Sequence, residues 1–159
     1  MIIGICPGSF DPVTNGHLDI IERSAQLVET LYVAVLRNGQ KQALFTVDER
    51  VEMLRLATAH IPNVKVEGFE GLLAEYGRQK GAKIIVKGLR AISDYESEMA
   101  MASINKRLAP EIETIFLMSS AQYSFLSSSL LKNVCELGGN ISGLVPEGIL
   151  QRVTERLRP

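Results

Sequence analysis

The chain alternates short runs of apolar residues with longer segments in which apolar and charged positions recur at helical spacing. Five runs, rich in Ile, Val and Leu, have the length of a single strand, and they cover residues 2–6, 31–36, 64–67, 83–87 and 114–118. Nearly continuous apolar runs of this length are typical of parallel strands that are buried on both faces. The pattern therefore predicts five buried parallel strands separated by helices.

Residues that start and stop helices mark the segments between the strands. Thr46–Glu49 and Ser93–Glu96 both have the Ser/Thr-x-x-Glu pattern of a capping box. We expect these two helices to run to about His60 and to near Pro110. Other signals predict a helix from about Asn15 behind a Thr14 cap, one over 71–80 that ends at Gly81, one from near Ser127 to Gly138, and a last one with Pro146 in its first turn.

Strand and helix alternate throughout the chain, with no repeat, low-complexity tract or linker. This alternation predicts an α/β fold: a single Rossmann-like domain over residues 1–159, with a doubly wound five-stranded parallel sheet in the order 3-2-1-4-5. Ligands of such sheets bind outside the carboxyl ends of the strands, where the strand order reverses. The residues that bind ligands are therefore expected in the segments that follow strands.

Composition and charge exclude several classes of protein. The 159 residues carry a formal net charge of −1, so no global field would hold nucleic acid or an anionic membrane. No signal peptide and no membrane-spanning run is evident, and we expect a cytoplasmic location. Cys6 and Cys135 show no metal-binding or redox spacing, and we expect both to be small buried apolar residues.

The segment PGSFDPVTNGH, residues 7–17, follows the first strand and has the character of an anion site. Gly8 allows the backbone to approach a ligand, and His17 falls in the first turn of the helix capped by Thr14. Free N–H groups and the positive end of the helix dipole favour phosphate there and disfavour imidazolium, so we expect a neutral, hydrogen-bond-donating His17. The segment is neither a Walker A loop nor a GxGxxG fingerprint. Simple turn chemistry and a histidine without a ligand remain the alternative.

Three other strand ends carry similar chemistry. VKGLR, residues 86–90, allows Lys87 and Arg90 to converge beside Gly88, and Lys41 follows the second strand. YSFLSSSLLK, residues 123–132, opens a helix with three serines, which is more than a cap requires. Solvated charges and a simple N-cap would explain each stretch alone. Their convergence at one sheet edge favours a phosphate-binding function.

These motifs, together with DYESE at 94–98, resemble the nucleotidylyltransferase superfamily with its (H/T)xGH signature. Within it the chain is most similar to the bacterial phosphopantetheine adenylyltransferases, over nearly its whole length. The resemblance implies adenylyl transfer from ATP to 4′-phosphopantetheine in coenzyme A biosynthesis, which yields dephospho-coenzyme A and pyrophosphate. It also implies Mg²⁺ as cofactor, with its ligands unassigned, and a homohexamer.

The resemblance also implies roles for individual residues. His17 matches the catalytic residue that stabilises the transition state and contacts ATP, while Ser9 and Phe10 match positions that touch ATP, Ser9 also contacting the acceptor. Lys41, Leu73 and Lys87 match positions that hold phosphopantetheine. The remaining ATP positions match Gly88, Leu89, Arg90, Glu98, Tyr123, Ser124, Phe125, Leu126, Ser127, Ser128 and Ser129. Some family members have threonine at position 9 and arginine at position 87; serine keeps the hydroxyl, whereas lysine keeps the charge without the guanidinium fork. Asp11 receives no role.

The sequence leaves two other functions open. A second transferase of the superfamily would act on nicotinate mononucleotide or a phosphorylated alcohol, and a non-enzymatic sensor would bind adenine nucleotides on the same fold. The chain contains no Ser-His-Asp order and no carboxylate pair placed as acid and base. None is required for transfer to a phosphate monoester, because its second pKa near ~6 makes it a nucleophile at neutral pH.

Overall fold

The computed structural model describes residues 1–37 and 42–158, together with all of their side chains except those of residues 92 and 93. Five parallel strands form its sheet: β1 (Ile3–Gly8), β2 (Thr30–Leu36), β3 (Val64–Phe69), β4 (Ile84–Leu89) and β5 (Glu113–Met118). They lie in the order β3-β2-β1-β4-β5. The predicted five parallel strands and their order are therefore confirmed.

The described residues also form six α-helices: α1 (Asn15–Ala25), α2 (Val47–Ala57), α3 (Leu73–Lys80), α4 (Ile92–Leu108), α5 (Ser128–Glu136) and α6 (Glu147–Leu157). A 3₁₀ turn at Ala121–Tyr123 precedes α5. None of the helices in the described ranges is both long and apolar enough to cross a membrane.

Helices cover the sheet on both faces. On one face α1, α2, α5 and α6 enclose the large core that contains Leu31 and Val33. On the other face, α3 packs against Ile5, and a neighbouring cluster includes Ile85. Adjacent residues on β1 enter different clusters, because successive side chains of a strand point to opposite faces. This is why the strands appear as nearly continuous apolar runs in the sequence.

The pairing of β1 differs sharply between its two neighbours. Six residue pairs join β1 to β2, from Ile3–Thr30 to Gly8–Val35. Only two pairs, Gly4–Ile84 and Ile5–Ile85, join β1 to β4. This junction is also where the strand order reverses, so the sheet opens toward its carboxyl edge at the position where ligands of doubly wound sheets bind.

The predicted capping box at Ser93 is wrong. Helix α4 begins at Ile92 behind Ala91, which makes no side-chain capping bond. The first turn closes two residues early because the N–H of Asp94 donates to the carbonyl of Ala91. The Asp94 carboxylate accepts from the N–H of Arg90 at 3.4 Å and pairs with its guanidinium at 3.5 Å. Contact with the end of β4 therefore determines where this helix begins.

Two smaller boundary differences have local causes. Helix α2 ends at Ala57 and not near His60, because the C-cap Thr58 leaves helical backbone angles (φ −108°, ψ 8°) and a turn follows, in which the N–H of Ile61 donates to the Thr58 carbonyl. Pro146 is the N-cap of α6 and lies just outside its first turn. The Thr46 capping box, the Gly81 C-cap and the Thr14 cap are confirmed.

Candidate active site

The separation of β1 from β4 creates a cavity at the carboxyl edge of the sheet, here called the β1–β4 cleft. Its floor is formed by Cys6, Pro7 and Gly8 from β1 and by Val86, Lys87 and Gly88 from β4. Phe10, Thr14, Gly16, His17, Ile20, Arg90, Asp94, Glu98, Ser119 and Leu126 complete its lining. Seven residues that the sequence assigned to the site therefore share one cavity, although they come from four separate segments of the chain. They are Phe10, His17, Lys87, Gly88, Arg90, Glu98 and Leu126.

A capping box holds His17 at the start of α1. The Thr14 hydroxyl accepts from the His17 N–H at 3.2 Å, and the imidazole Nδ1 accepts from the Thr14 N–H at 3.0 Å. Since Nδ1 is an acceptor in this geometry, the proton of the neutral ring resides on Nε2. The ring also packs edge-to-face on Phe10, with 5.1 Å between ring centroids. His17 therefore offers the cleft one N–H donor in a fixed orientation.

Two causes keep this imidazole uncharged. Burial lowers the pKa of His17 to about 4, and the positive charge of Arg90 contributes in the same direction. The sequence also predicts a neutral His17, but it attributes the neutrality to the positive end of the α1 dipole. Burial and a neighbouring cation arise from the fold and cannot be deduced from a histidine in a first helical turn.

The end of β4 brings the cations Lys87 and Arg90 into the cleft, and α4 brings the carboxylates of Asp94 and Glu98. The Lys87 ammonium lies 3.1 Å from Glu98 Oε2, an oxygen that is buried and makes no hydrogen bond of good geometry. Arg90 donates to the carbonyl of Leu126 at 3.0 Å and pairs with Asp94. Arg90 is thus held between α4 and the loop before α5, whereas Lys87 has a single ionic contact in the part of the chain that the structure describes.

Two serines of α5, Ser128 and Ser129, border a second cavity, here called the α5 pocket. It is lined by Ser9, Asp11, Leu36, Gln42, Ala43, Arg50, Ser128, Ser129 and Lys132. Ser128 donates to the carbonyl of Pro12 at 2.9 Å, which attaches α5 to the β1–α1 loop. Ser127 is the N-cap and accepts from the N–H of Leu130. The predicted site residues therefore fall on both sides of the β1–α1 loop.

Several predicted residues lie outside both cavities. Leu73 begins α3 and packs against the apolar clusters beneath that helix. Leu89 ends β4, and Tyr123 packs on the large core beside Gly16. Ser124 donates to the carbonyl of Ala121, while Phe125 is 57% exposed. Lys41 lies outside the described residues, so its predicted role stays a prediction.

Sequence reasoning missed two residues and left a third unassigned. Arg50 is buried and lines the α5 pocket, as does Lys132, which follows Ser128 by one helical turn. Asp11 lies between them, 3.5 Å from the Lys132 ammonium. A signal for Arg50 exists in the sequence: it interrupts the apolar face of α2 beside Val51, where a charged residue is rarely found without partners.

We expect His17 to remain neutral at every pH above about 5, because its pKa is lowered to about 4. An unfolded histidine takes up a proton near ~6.5, so the free energy of unfolding should fall as the pH drops from about 6.5 toward 4. NMR titration of the imidazole Cε1–H and denaturant unfolding at about pH 7 and pH 5 measure both effects. His17→Gln should reduce the loss of stability. A His17 resonance that titrates between about pH 6 and 7 would contradict this account.

Comparison with known proteins identifies the family. Residues 5–134 match the family model described as cytidylyltransferase-like. A phosphopantetheine adenylyltransferase of Heliobacterium modesticaldum is 52% identical over 156 residues, 98% of this chain and 93% of that protein. A phosphopantetheine adenylyltransferase of Carboxydothermus hydrogenoformans is 51% identical over 158 residues, which cover 99% of this chain and 98% of that protein.

A solved structure supports the fold alone. It is a crystal structure from Vibrio parahaemolyticus with a provisional assignment as a nicotinate-nucleotide adenylyltransferase. Its TM-score is 0.71 at 16% sequence identity, and the likeness covers 98% of this chain and 96% of that one. The two close relatives carry the name that the sequence motifs indicated. The chain therefore belongs to the cytidylyltransferase-like family and, within it, to the phosphopantetheine adenylyltransferases.

Proposed function

We propose that this protein transfers the adenylyl group of ATP to 4′-phosphopantetheine, giving dephospho-coenzyme A and pyrophosphate in coenzyme A biosynthesis. The observation that carries the chemistry is the β1–β4 cleft, in which the neutral imidazole of His17 shares a cavity with Lys87 and Arg90. The choice of acceptor is supported by two relatives that are named phosphopantetheine adenylyltransferase. About half of their residues are identical to those of this chain over nearly its full length.

The reaction needs alignment and charge stabilisation more than a catalytic base. A phosphate oxygen of the acceptor forms a bond to the α-phosphorus of ATP, and the bond from that phosphorus to the bridging oxygen breaks as pyrophosphate leaves. The acceptor monoester is mostly dianionic at neutral pH, since its second pKa is near ~6. No proton has to be removed from the nucleophile, which fits a site where the one histidine is an N–H donor.

His17 is the proposed catalytic residue. Its Nε2–H is available to the α-phosphate oxygens, on which charge develops during transfer. The Thr14 capping bond and the Phe10 ring hold the imidazole in place before substrate arrives. The donor therefore requires no reorganisation as the reaction proceeds.

The cations divide between the two substrates. Lys87 is proposed to bind the acceptor phosphate, because within the described residues its ammonium has only the Glu98 contact to exchange for it. Arg90, fixed by Leu126 and Asp94, is proposed to bind the nucleotide phosphates. Ser9, Ser128 and Ser129 would supply hydroxyl and N–H groups from the adjacent α5 pocket. Lys41 and Leu73 keep their proposed contacts with phosphopantetheine on the strength of the family pattern alone.

Mg²⁺ is the proposed cofactor. No group of three or more His, Cys, Asp and Glu side chains is placed to hold a metal in the parts of the chain that the structure describes. The ion is therefore expected to arrive with the nucleotide, since Mg²⁺ commonly binds one or two carboxylates together with substrate phosphates and water. The buried Oε2 of Glu98, which contacts the Lys87 ammonium but makes no hydrogen bond of good geometry, fits such a single contact. Bound there, Mg²⁺ would neutralise phosphate charge.

A homohexamer in the cytoplasm is proposed on the family pattern. One feature supports self-association: α4 exposes Tyr95, Met99, Met101, Ile104 and Leu108, each at least 39% accessible. At 100° per residue the first two and the last three lie on different sides of the helix. Exposed apolar residues on two sides suit an assembly with more than one kind of interface, as dihedral symmetry requires.

The reaction is tested by incubating the protein with ATP, Mg²⁺ and one of three acceptors, and measuring pyrophosphate release. We expect turnover with 4′-phosphopantetheine and little with nicotinate mononucleotide or glycerol phosphate, because the chain shares its family with enzymes named for the first acceptor. Preference for nicotinate mononucleotide would assign the protein to the other transferase class. ATP binding without pyrophosphate release from any acceptor would indicate a nucleotide sensor.

His17→Ala should lower kcat far more than it weakens ATP binding. A donor directed at transition-state charge is typically worth about 2.7–4 kcal/mol, or roughly a hundredfold to a thousandfold in rate. Steady-state kinetics and calorimetric titration with ATP separate the two effects. His60→Ala is the matched control, since His60 is exposed in the turn after α2, pairs with Glu22 of α1 and does not line the cleft. Activity of His17→Ala within about threefold of wild type would make the imidazole structural.

Sedimentation analysis should give a species of six times the 17.5 kDa chain mass. Replacement of Ile104 by glutamate should shift the protein to smaller species, because a buried charge at an apolar interface is costly. Met1→Glu is a control, since Met1 is an exposed apolar residue at the chain end. A monomer at all micromolar concentrations would overturn the proposed assembly.

A further inference from the structure

Arg50 is a buried arginine that binds main-chain carbonyls. It is 6% exposed, and its Nε donates to the carbonyls of Phe45 at 3.1 Å and Thr46 at 3.3 Å. Its Nη1 donates to the carbonyl of Ser9 at 2.8 Å and lies 3.5 Å from that of Leu36. The guanidinium therefore joins the loop after β1 to the end of β2 and to the start of α2.

Asp11 makes the reciprocal connection from the β1–α1 loop. Its two carboxylate oxygens accept from the N–H groups of Leu44 at 2.8 Å and Phe45 at 2.9 Å. Asp11 is 8% exposed, and Lys132 is its only ionic contact within the described residues. The main chain of Phe45 is thus held on both sides: Asp11 accepts from its N–H, and Arg50 donates to its carbonyl.

Phe10 lies between the two attachment points. Arg50 holds the carbonyl of Ser9 on one side of it, and the Asp11 carboxylate is fixed on the other. Phe10 has a φ of +50°, a left-handed conformation that costs a non-glycine residue on the order of 1–2 kcal/mol. The bonds at both flanks oppose relaxation of this residue toward ordinary backbone angles.

The conformation of Phe10 determines what supports His17. The Phe10 ring is 4% exposed and stands edge-to-face against the imidazole. A Cβ on Gly8 would lie 3.0 Å from the same ring, so the space around the ring is closely filled. A rotation of the Phe10 backbone would remove one wall of the imidazole site.

We propose that Asp11 and Arg50 are positioning residues, which hold Phe10 in its left-handed conformation and thereby set the orientation of His17 in the β1–β4 cleft. Neither side chain lines the part of the cleft that contains His17. The catalytic consequence rests on the proposed function, but the structural consequence for the imidazole does not. The two can therefore be tested separately.

The experiment compares Arg50→Lys, Asp11→Asn and the control Arg55→Lys. Lysine at position 50 keeps the charge but cannot span the carbonyls of Ser9 and Phe45 as a guanidinium does. Asparagine at position 11 places an amide N–H₂ against a backbone N–H. Arg55 also lies on α2 and also donates to a strand carbonyl, that of Val66 on β3, yet it is exposed and remote from the cleft.

NMR gives the readout that is independent of turnover. The chain has two histidines, so His60 serves as an internal reference for His17. We expect the ¹⁵N and Cε1–H resonances of His17 to shift in Arg50→Lys and Asp11→Asn while those of His60 stay in place. Arg55→Lys should leave both unchanged. Unshifted His17 resonances in both folded variants would overturn the proposal, whether or not the protein turns over phosphopantetheine.

Kinetics give the second readout. Arg50→Lys and Asp11→Asn should lower kcat about tenfold to a hundredfold, the range for a small misplacement of a catalytic group, with the Kd for ATP within about threefold of wild type. In a His17→Ala background the same substitutions should cost less than about threefold, since they act through the imidazole. Fully additive losses would overturn the proposal. So would unfolding of both variants, because it would assign the pair to stability of the fold.

Discussion

The site depends on the early end of hydrogen bonding between β1 and β4. The two strands pair only at Gly4–Ile84 and Ile5–Ile85, whereas β4 remains paired with β5 over its full length. Beyond those pairs, the edges of β1 and β4 that face each other have no partner strand, and the residues there line the cleft. Pro7 lies two residues beyond Ile5 on β1 and has no N–H to offer a ladder, which is consistent with separation at this point.

The fold was predictable because its information is local and repeated. Strands β1, β2 and β4 bury apolar residues on both faces, and several helices carry a start or stop residue, such as Thr14, Thr46 and Gly81. Prediction failed at Ser93, where a good local capping pattern lost to a contact between Arg90 and Asp94 at the end of β4. Tertiary contacts of this kind leave no periodic trace in the sequence.

The site was predictable only as a set of strand ends. Sequence motifs placed His17, Lys87 and Arg90 at one edge, and the structure brings these three into one cleft. The division of the serines into a separate α5 pocket could not be foreseen, since it depends on how α5 packs against the β1–α1 loop. The acceptor role of His17 Nδ1 could not be foreseen either. It follows from the reciprocal bond of the capping box, which glutamate makes more often than histidine.

Of the four cations among the described residues that line the two cavities, three have a carboxylate partner before any substrate binds, and the fourth, Arg50, binds main-chain carbonyls. Lys87, Arg90 and Lys132 each lie within 3.5 Å of a carboxylate, from Glu98, Asp94 and Asp11 respectively. A phosphate that enters must therefore displace an internal carboxylate from its cation. The net binding free energy is smaller than it would be if the three cations had no carboxylate partner. This exchange favours turnover, since an enzyme gains rate from contacts that strengthen in the transition state and not from tight ground-state binding. His17 differs from these cations: it has no carboxylate within salt-bridge distance among the described residues, and its neutral N–H is the donor that need not be released from an ionic partner first.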